Sequence, residues 1–376
     1  MPDERDTHHW IERPSDLAEH LAQPPDSIGL DTEFVRERTY WPRLALVQIA
    51  LATAAGGPRI LLVDPLQPGM AEALAPLLSD RSILKIMHSA GEDLVALRQT
   101  CGVVPAPLFD TQVAAALAGI AAGIGYQKLV QQIEGVELPK GETRSDWLRR
   151  PLSPAQLDYA ADDVRHLHAL HRELDARLQA LGRLEWLRHD CDRLVANAED
   201  DAPERWPHLP IRAAQYLDRA GQRRLLRLLR WRELQARRSD RPRNWVLDNE
   251  LAVDLARDPP ADLADLQARL DPLPRAPRKL AAPLWDALAT ALPDEAEAPA
   301  VRTEEHDRKA VRRLQDAVAQ RSAELGLPDG VLASRRWLEA LLDGHWPDAL
   351  SGWRRQALEP SLAPLLAAGG AQPPSV

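Results

Sequence analysis

The sequence predicts an α/β fold, a mixed sheet flanked by helices, followed by two small all-helical domains. Three observations predict it. Four apolar runs of strand length fall within the first 90 residues, segments with helical spacing begin to alternate with them near residue 69, and everything beyond about residue 110 is helical in period. In chain order, SIGLDTEFV at 27–35, LALVQIAL at 44–51 and ILLVDP at 60–65 read as strands, with TYWPR as a proline-punctuated turn between the first two. Residues 69–79 space their apolar side chains as a helix, and ILKIMHSA at 83–90 reads as a further buried strand. A helix then starts near Gly91-Glu92 and turns Leu94, Val95 and Leu97 toward a core. The clearest helix opens at Ser153-Pro154, an N-cap followed by proline at the first helical position, and continues to about Leu181.

Polar and proline-bearing segments divide the rest. EDDAPERWPHLP at 199–210 closes a first domain, 1–200, and a helical domain occupies 205–292. PDEAEAPAVRTEEHD at 293–307 reads as an acidic linker. A second helical domain spans 308–370, and the small residues of GGAQPPSV predict a disordered tail.

Composition narrows the class. The chain of 376 residues has room for two or three domains and opens MPDERDTHHW, without the apolar stretch of a secretory signal. No run of about 20 apolar residues predicts a membrane span. The cysteines, Cys101 and Cys191, make neither a disulfide framework nor a metal-ligand cluster, which suits a reducing cytoplasm. The net charge of −9 divides unevenly: residues 1–200 hold 20 basic and 30 acidic side chains, the remainder 27 and 26. Bound cations would offset part of that acidic excess. Residues 205–243 carry 12 Arg against 3 acids, a local charge that favours a polyanionic partner.

Three short segments carry the chemistry. Asp31 and Glu33 stand two apart on a predicted strand and project from one face, where two like charges in an apolar run are costly without a counter-charge. Asp93 starts a helix after a buried strand; its neighbour Glu92 has the ordinary role of an acid at a helix N-terminus, and His88 reads as a partly buried strand-end residue. Tyr159 and Asp163, four apart on the long helix, share a face, while Asp162 points to solvent. Each segment alone has a commonplace reading. Together they aim four carboxylates at one point, which calls for a pair of divalent metal ions, an arrangement suited to in-line displacement at phosphate.

The three segments resemble the exonuclease motifs of the DEDD superfamily in its tyrosine-containing branch. DTEFVRERTYWPRLALVQIA is similar to the first motif, HSAGEDLVAL to the second, and TRSDWLRRPLSPAQLDYAADDVRHL to the third, with Y-x-x-x-D intact. Within that branch the chain most resembles the ribonuclease D family, through FVRERTYWPRLALVQ and SDWLRRPLS, over residues 10–195. The resemblance implies a ribonuclease H-like sheet, with Asp31, Glu33, Asp93 and Asp163 as ligands of two divalent ions, Mg²⁺ or Mn²⁺. It also implies that Tyr159 orients the attacking water, and that the activity is 3′→5′ exoribonuclease, releasing 5′-nucleoside monophosphates from unpaired 3′ ends of tRNA precursors and other small structured RNAs. DNA as the substrate of the same fold is one alternative, opposed by the absence of a polymerase region. A non-catalytic RNA-binding scaffold is another, opposed by the intact carboxylate set.

LRLLRWRELQARRSDRPRNWVLDNELAVDLAR resembles a helicase-and-RNase-D C-terminal (HRDC) domain, and RRLQDAVAQRSAELGLPDGVLASRRWLEALLDG a fainter second copy. Arg223, Arg224, Arg227 and Arg230 read as the solvated side of an amphipathic helix whose Leu225, Leu228, Leu229 and Trp231 pack inward. Arg237, Arg238, Arg241 and Arg243 are the candidate nucleic-acid contacts, and Trp231 and Trp245 are expected in the core. The expected state is a monomer without membrane contact.

Overall fold

The computed structural model describes residues 8–53, 57–139, 141–142, 145–301 and 308–368. Among these, one compact unit holds the residues up to 35, 43–200 and those from 308 on; a second holds 36–42 and 201–301.

The first unit is built on a six-stranded sheet of order β1-β4-β3-β2-β5-β6. Its strands are β1 (His8–Ile11), β2 (Ser27–Val35), β3 (Arg43–Leu51), β4 (Arg59–Val63), β5 (Leu84–Met87) and β6 (Leu108–Asp110). β2, β3 and β4 are antiparallel neighbours, and β1, β5 and β6 extend the sheet in parallel pairings. β3 is buried on both faces from Leu44 to Leu51, which explains its unbroken apolar sequence. Helices α1 (Pro14–His20), α2 (Met70–Ser79), α3 (Gly91–Cys101), α4 (Thr111–Leu117) and α5 (Tyr126–Glu134) cover it together with α6 (Pro154–Arg165), α7 (Leu167–Ala180) and α8 (Leu184–Glu199). Gly29 on β2 allows a close approach: a Cβ there would lie 3.1 Å from Ala50 Cβ and 3.2 Å from Leu167 Cβ.

Two expectations change here. The strand predicted over 83–90 ends at Met87, because Ser89 turns at φ 58° and the Asp110 carboxylate accepts the N–H groups of Ser89 and Ala90 (3.2 and 2.8 Å). The helix predicted from Ser153 to Leu181 divides at His166, whose N–H donates to Tyr126 Oη (3.2 Å).

The C-terminal helices α14 (Arg308–Leu325), α15 (Arg335–Leu342) and α16 (Trp353–Ala368) share the nuclease unit's core rather than standing as a module apart. Arg354 and Asp190 form a buried bidentate pair (2.5 and 2.8 Å), and Trp353 stacks on Trp186 at 4.4 Å. The Arg183 guanidinium donates to the Leu117 carbonyl (2.6 Å) and to that of Leu325. The start of α16 thus packs on α8, and α14 packs on α15 and α16.

The second unit packs α9 (Arg219–Ser239), α10 (Arg243–Val246), α11 (Asn249–Arg257), α12 (Leu263–Leu270) and α13 (Ala281–Ala289) around their own core. Its Arg-rich helix is not simply solvated. Arg227 clamps Glu295 through two 2.6 Å bonds and the Leu288 carbonyl through a third (2.9 Å), and Arg230 pairs with Asp294 (2.8 Å). Arg224 donates to the Ala256 carbonyl (2.8 Å). The first part of the predicted acidic linker is therefore pinned to α9 by ion pairs, because its carboxylates meet guanidinium groups one helix face away. The TYWPR turn is likewise more than a turn: Tyr40 Oη donates to the Glu233 carboxylate and accepts from Arg237 and Arg243 (3.1 and 2.9 Å). Residues 302–307 and the GGAQPPSV tail lie outside the described residues.

Candidate active site

Each acidic segment is aimed by a local device. Asp31 and Glu33 extend from one face of β2, opposite Gln48 and Leu46 of β3, just before a register irregularity between Glu33 and Phe34. Asp93 sits in the first turn of α3, buried, while Glu92 is exposed. Asp110 holds that turn: besides Ser89 and Ala90, its carboxylate accepts from Gln112 and Val113 N–H (2.8 and 3.1 Å), capping α4 at the same time. α6 starts with a capping box, Ser153 Oγ accepting from Gln156 N–H and Gln156 Oε1 from Ser153 N–H. Arg150 anchors the approach to that cap, donating to both Asp64 oxygens (2.7 and 3.1 Å) and to the Ala45 carbonyl (2.6 Å). The cap and its anchor set the rotation of α6, and hence where Tyr159 and Asp163 point.

The result is an open cavity of about 310 Å³ lined by Asp31, Glu33, Asp163, Tyr159, Tyr126 and His88 among others. No cationic side chain lines it among the described residues. The electrostatic consequence is large. Burial, with the charges of Asp93, Asp163 and Glu33, raises the Asp31 carboxyl well above its ordinary range. Burial, then Asp163 and Asp93, pushes Glu33 up to about 8. Burial moves Asp93 up to about 7 against the opposing hydrogen bond from Thr32 Oγ1 (2.5 Å), and Asp163 up to about 7 against one from Tyr159. Tyr159 itself is pushed upward by burial and the nearby carboxylates, so its hydroxyl keeps its proton at neutral pH.

The donor set fits hard divalent cations: four carboxylates, all oxygen donors, destabilised for want of positive charge. Among the described residues no three acidic, histidine or cysteine groups already stand as a metal-ligand cluster. Thr32 and Tyr159 instead engage Asp93 and Asp163. The full set of five sequence-derived residues nevertheless meets in one electrostatic neighbourhood.

His88 is a positioned residue, as its strand-end place suggests. Its Nε2 donates to the Ile124 carbonyl (3.0 Å), burial lowers its pKa, and its Nδ1 lies 2.8 Å from Thr111 Oγ1, which in turn contacts the Met87 carbonyl (3.0 Å). Several contributors escaped sequence reasoning. Tyr126 donates to the Asp162 carbonyl (3.0 Å) and steadies the α6–α7 break beside the cavity. Gln48, paired with Asp31 across the strands, is fully buried with neither amide atom hydrogen-bonded among the described residues. A glutamine inside LALVQIAL was the available signal. Gly141 lies against Tyr159: a Cβ there would fall 1.8 Å from the ring's Cδ2 and Cε2.

In the second unit the four candidate arginines separate into two kinds. Arg237 and Arg243 bond Glu233 and Tyr40, and hold the Glu233 carboxyl down to about 2 despite its burial. Arg238 and Arg241 are exposed. Trp231 packs against the core as expected, but Trp245 does not: it is 58% exposed, because α10 spans only four residues and buries Val246 instead.

Comparison with known proteins shows the family. Residues 8–179 match the family model described as 3′-5′ exonuclease, 222–288 the HRDC domain, and 306–362 the ribonuclease D C-terminal HRDC domain. Ribonuclease D of Xanthomonas oryzae pv. oryzae is 61% identical over 366 residues, covering 96% of this chain and 99% of the relative. The chain belongs to the ribonuclease D family. A second member, from Pseudomonas paraeruginosa, is 39% identical over 94% of this chain and 96% of its own length. The crystal structure of Escherichia coli RNase D, described as an exoribonuclease involved in structured RNA processing, superposes with a TM-score of 0.83 at 30% identity, covering 96% of this chain and 99% of that one. Ribonuclease D membership accounts for both the exonuclease fold and the helical domains that follow it.

Proposed function

We propose that this chain, a 3′→5′ exoribonuclease of the ribonuclease D family, trims unpaired 3′ ends of tRNA precursors and other small structured RNAs as a cytoplasmic monomer. The observation that carries the reading is the cavity where Asp31, Glu33, Asp163 and Tyr159 meet, with the charge of Asp93 acting on Asp31, in a chain similar to ribonuclease D along its whole length. Asp31, Glu33, Asp93 and Asp163 would hold two divalent cations, Mg²⁺ or Mn²⁺. Such ions supply Lewis-acid activation of water and charge stabilisation of a departing oxygen.

The chain's own residues do the rest. Tyr159 stays protonated, so it acts as a hydrogen-bonding guide for the attacking water rather than as its base. Asp163, one turn away, holds that hydroxyl in place, and Thr32 does the same for Asp93. The cavity is small, at about 310 Å³, which suits a single terminal nucleotide better than a paired end. Attack at the last phosphodiester would free a 5′-nucleoside monophosphate and leave a new 3′ hydroxyl.

The test is nucleotide release from a 5′-labelled RNA with an unpaired 3′ tail in Mg²⁺, in Mn²⁺ and in EDTA, with a matched DNA tail as competitor. A ladder shortening from the 3′ end, absent in EDTA and with Asp163→Ala, is expected. RNA bound but left intact in every condition would overturn the reading, and preferential loss of the DNA tail would reassign the substrate.

A further inference from the structure

Trp245 is a large aromatic side chain that the second unit leaves in solvent, and it shares its surroundings with exposed cations. It stands on the wall shared by two cavities, about 570 and 840 Å³, and Arg241 and Arg275 line both of them with it. The first cavity adds Arg278 and Lys279 and contains no acidic lining residue. The second carries the amides of Asn244 and Asn249 together with the carboxylates of Asp248 and Glu250.

The charges here differ from those elsewhere on the unit. Arg227, Arg230, Arg237 and Arg243 are taken up by Glu295, Asp294 and Glu233, and Arg278 donates to the Leu270 and Leu273 carbonyls. Arg241, Arg275 and Lys279 are exposed and make no ion pair among the described residues. An exposed indole with cations on both flanks has the chemistry of a single-strand platform: the ring stacks a base of any identity, and the cations follow the phosphates on either side of it.

We infer that Trp245, with Arg241, Arg275 and Lys279, forms a binding site for single-stranded RNA, one base stacked on the indole and the adjacent phosphates on the three cations. The choice of RNA rests on the proposed function.

The experiment measures binding by the full chain in EDTA, so that no turnover intervenes, using fluorescence anisotropy of a 5′-labelled unstructured 12-nucleotide RNA and of an abasic strand of equal length. Trp245→Ala should weaken binding of the RNA roughly 5- to 150-fold, leave the abasic strand's affinity unchanged, and be largely rescued by Trp245→Phe. Arg241→Gln with Arg275→Gln should flatten the salt dependence of log K by about 1.4. An RNA affinity within twofold of wild type in Trp245→Ala, or an equal loss on RNA and abasic strand, would overturn the inference; the first result would leave this face to a protein partner. Nucleotide release by the wild type in Mn²⁺ is scored separately. Stacking at Trp245 without release would sink the proposed function while leaving this site standing, and release with an indifferent Trp245 would do the reverse.

Discussion

Replacing Asp163 by asparagine should abolish nucleotide release and yet make the metal-free protein more stable at pH 8. Burial moves Asp163 up to about 7 from the 3.8 of an unburied aspartate, a displacement of about three pH units. A carboxyl whose folded pKa lies above its unfolded pKa binds more proton when folded, so stability declines as pH rises between the two values and is flat beyond them. At about 1.4 kcal/mol per pH unit, the ionised group costs the folded apo protein about 4 kcal/mol at pH 8 and almost nothing at pH 4. Asparagine has nearly the same shape and no charge at any pH. It also relieves Glu33, for which Asp163 is the foremost neighbouring charge. Thermal unfolding in EDTA should therefore place Asp163→Asn about 7 °C above wild type at pH 8, with the two nearly level at pH 4. Saturating Mn²⁺ should reverse the order, because only the intact carboxylate set gains from bound cation. A variant no more stable than wild type at pH 8, or a gap independent of pH, would refute the claim that these acids repel one another in the folded chain.

Further outcomes can be checked on the same protein. Tyr159→Phe should lower kcat on the order of 10²-fold with KM little changed. Gly141→Ala should do the same by displacing the Tyr159 ring, and the double variant should be no worse than either single one, as steady-state kinetics would reveal. Arg354→Leu removes the bidentate partner of a buried Asp190, leaving it Trp353 Nε1 (3.3 Å) and Arg193 (3.6 Å), and should destabilise the nuclease unit by about 3 kcal/mol, much of it recovered in Asp190→Leu/Arg354→Leu; a denaturant midpoint unmoved by the single change would contradict the packing described. Arg238→Gln and Arg241→Gln should each flatten the salt dependence of RNA binding by about 0.7. Arg237→Gln and Arg243→Gln should instead lower the second unit's thermal midpoint, since both hold Glu233; equal effects from all four would dissolve the distinction.

What the sequence determined by itself is the set of elements that rest on local pattern. The unbroken apolar run of β3 and the Ser153-Pro154 start of α6 are short-range facts. So are the spacings that put Asp31 with Glu33 on one strand face and Tyr159 with Asp163 on one helix face. The convergence of Asp93 with them was legible only through the joint occurrence of three segments that resemble one family. Everything that depends on a partner remote in the chain needed the tertiary structure. Helical period cannot show that His166 gives its N–H to Tyr126, nor that Asp294 and Glu295 meet Arg230 and Arg227 instead of solvating a linker. Composition counts twelve arginines near α9 but cannot separate those engaged by acids from Arg238 and Arg241. An indole is read as core by default, because burial is its usual fate. That Trp245 stays in water was decided by which face of a four-residue helix the surrounding packing could cover.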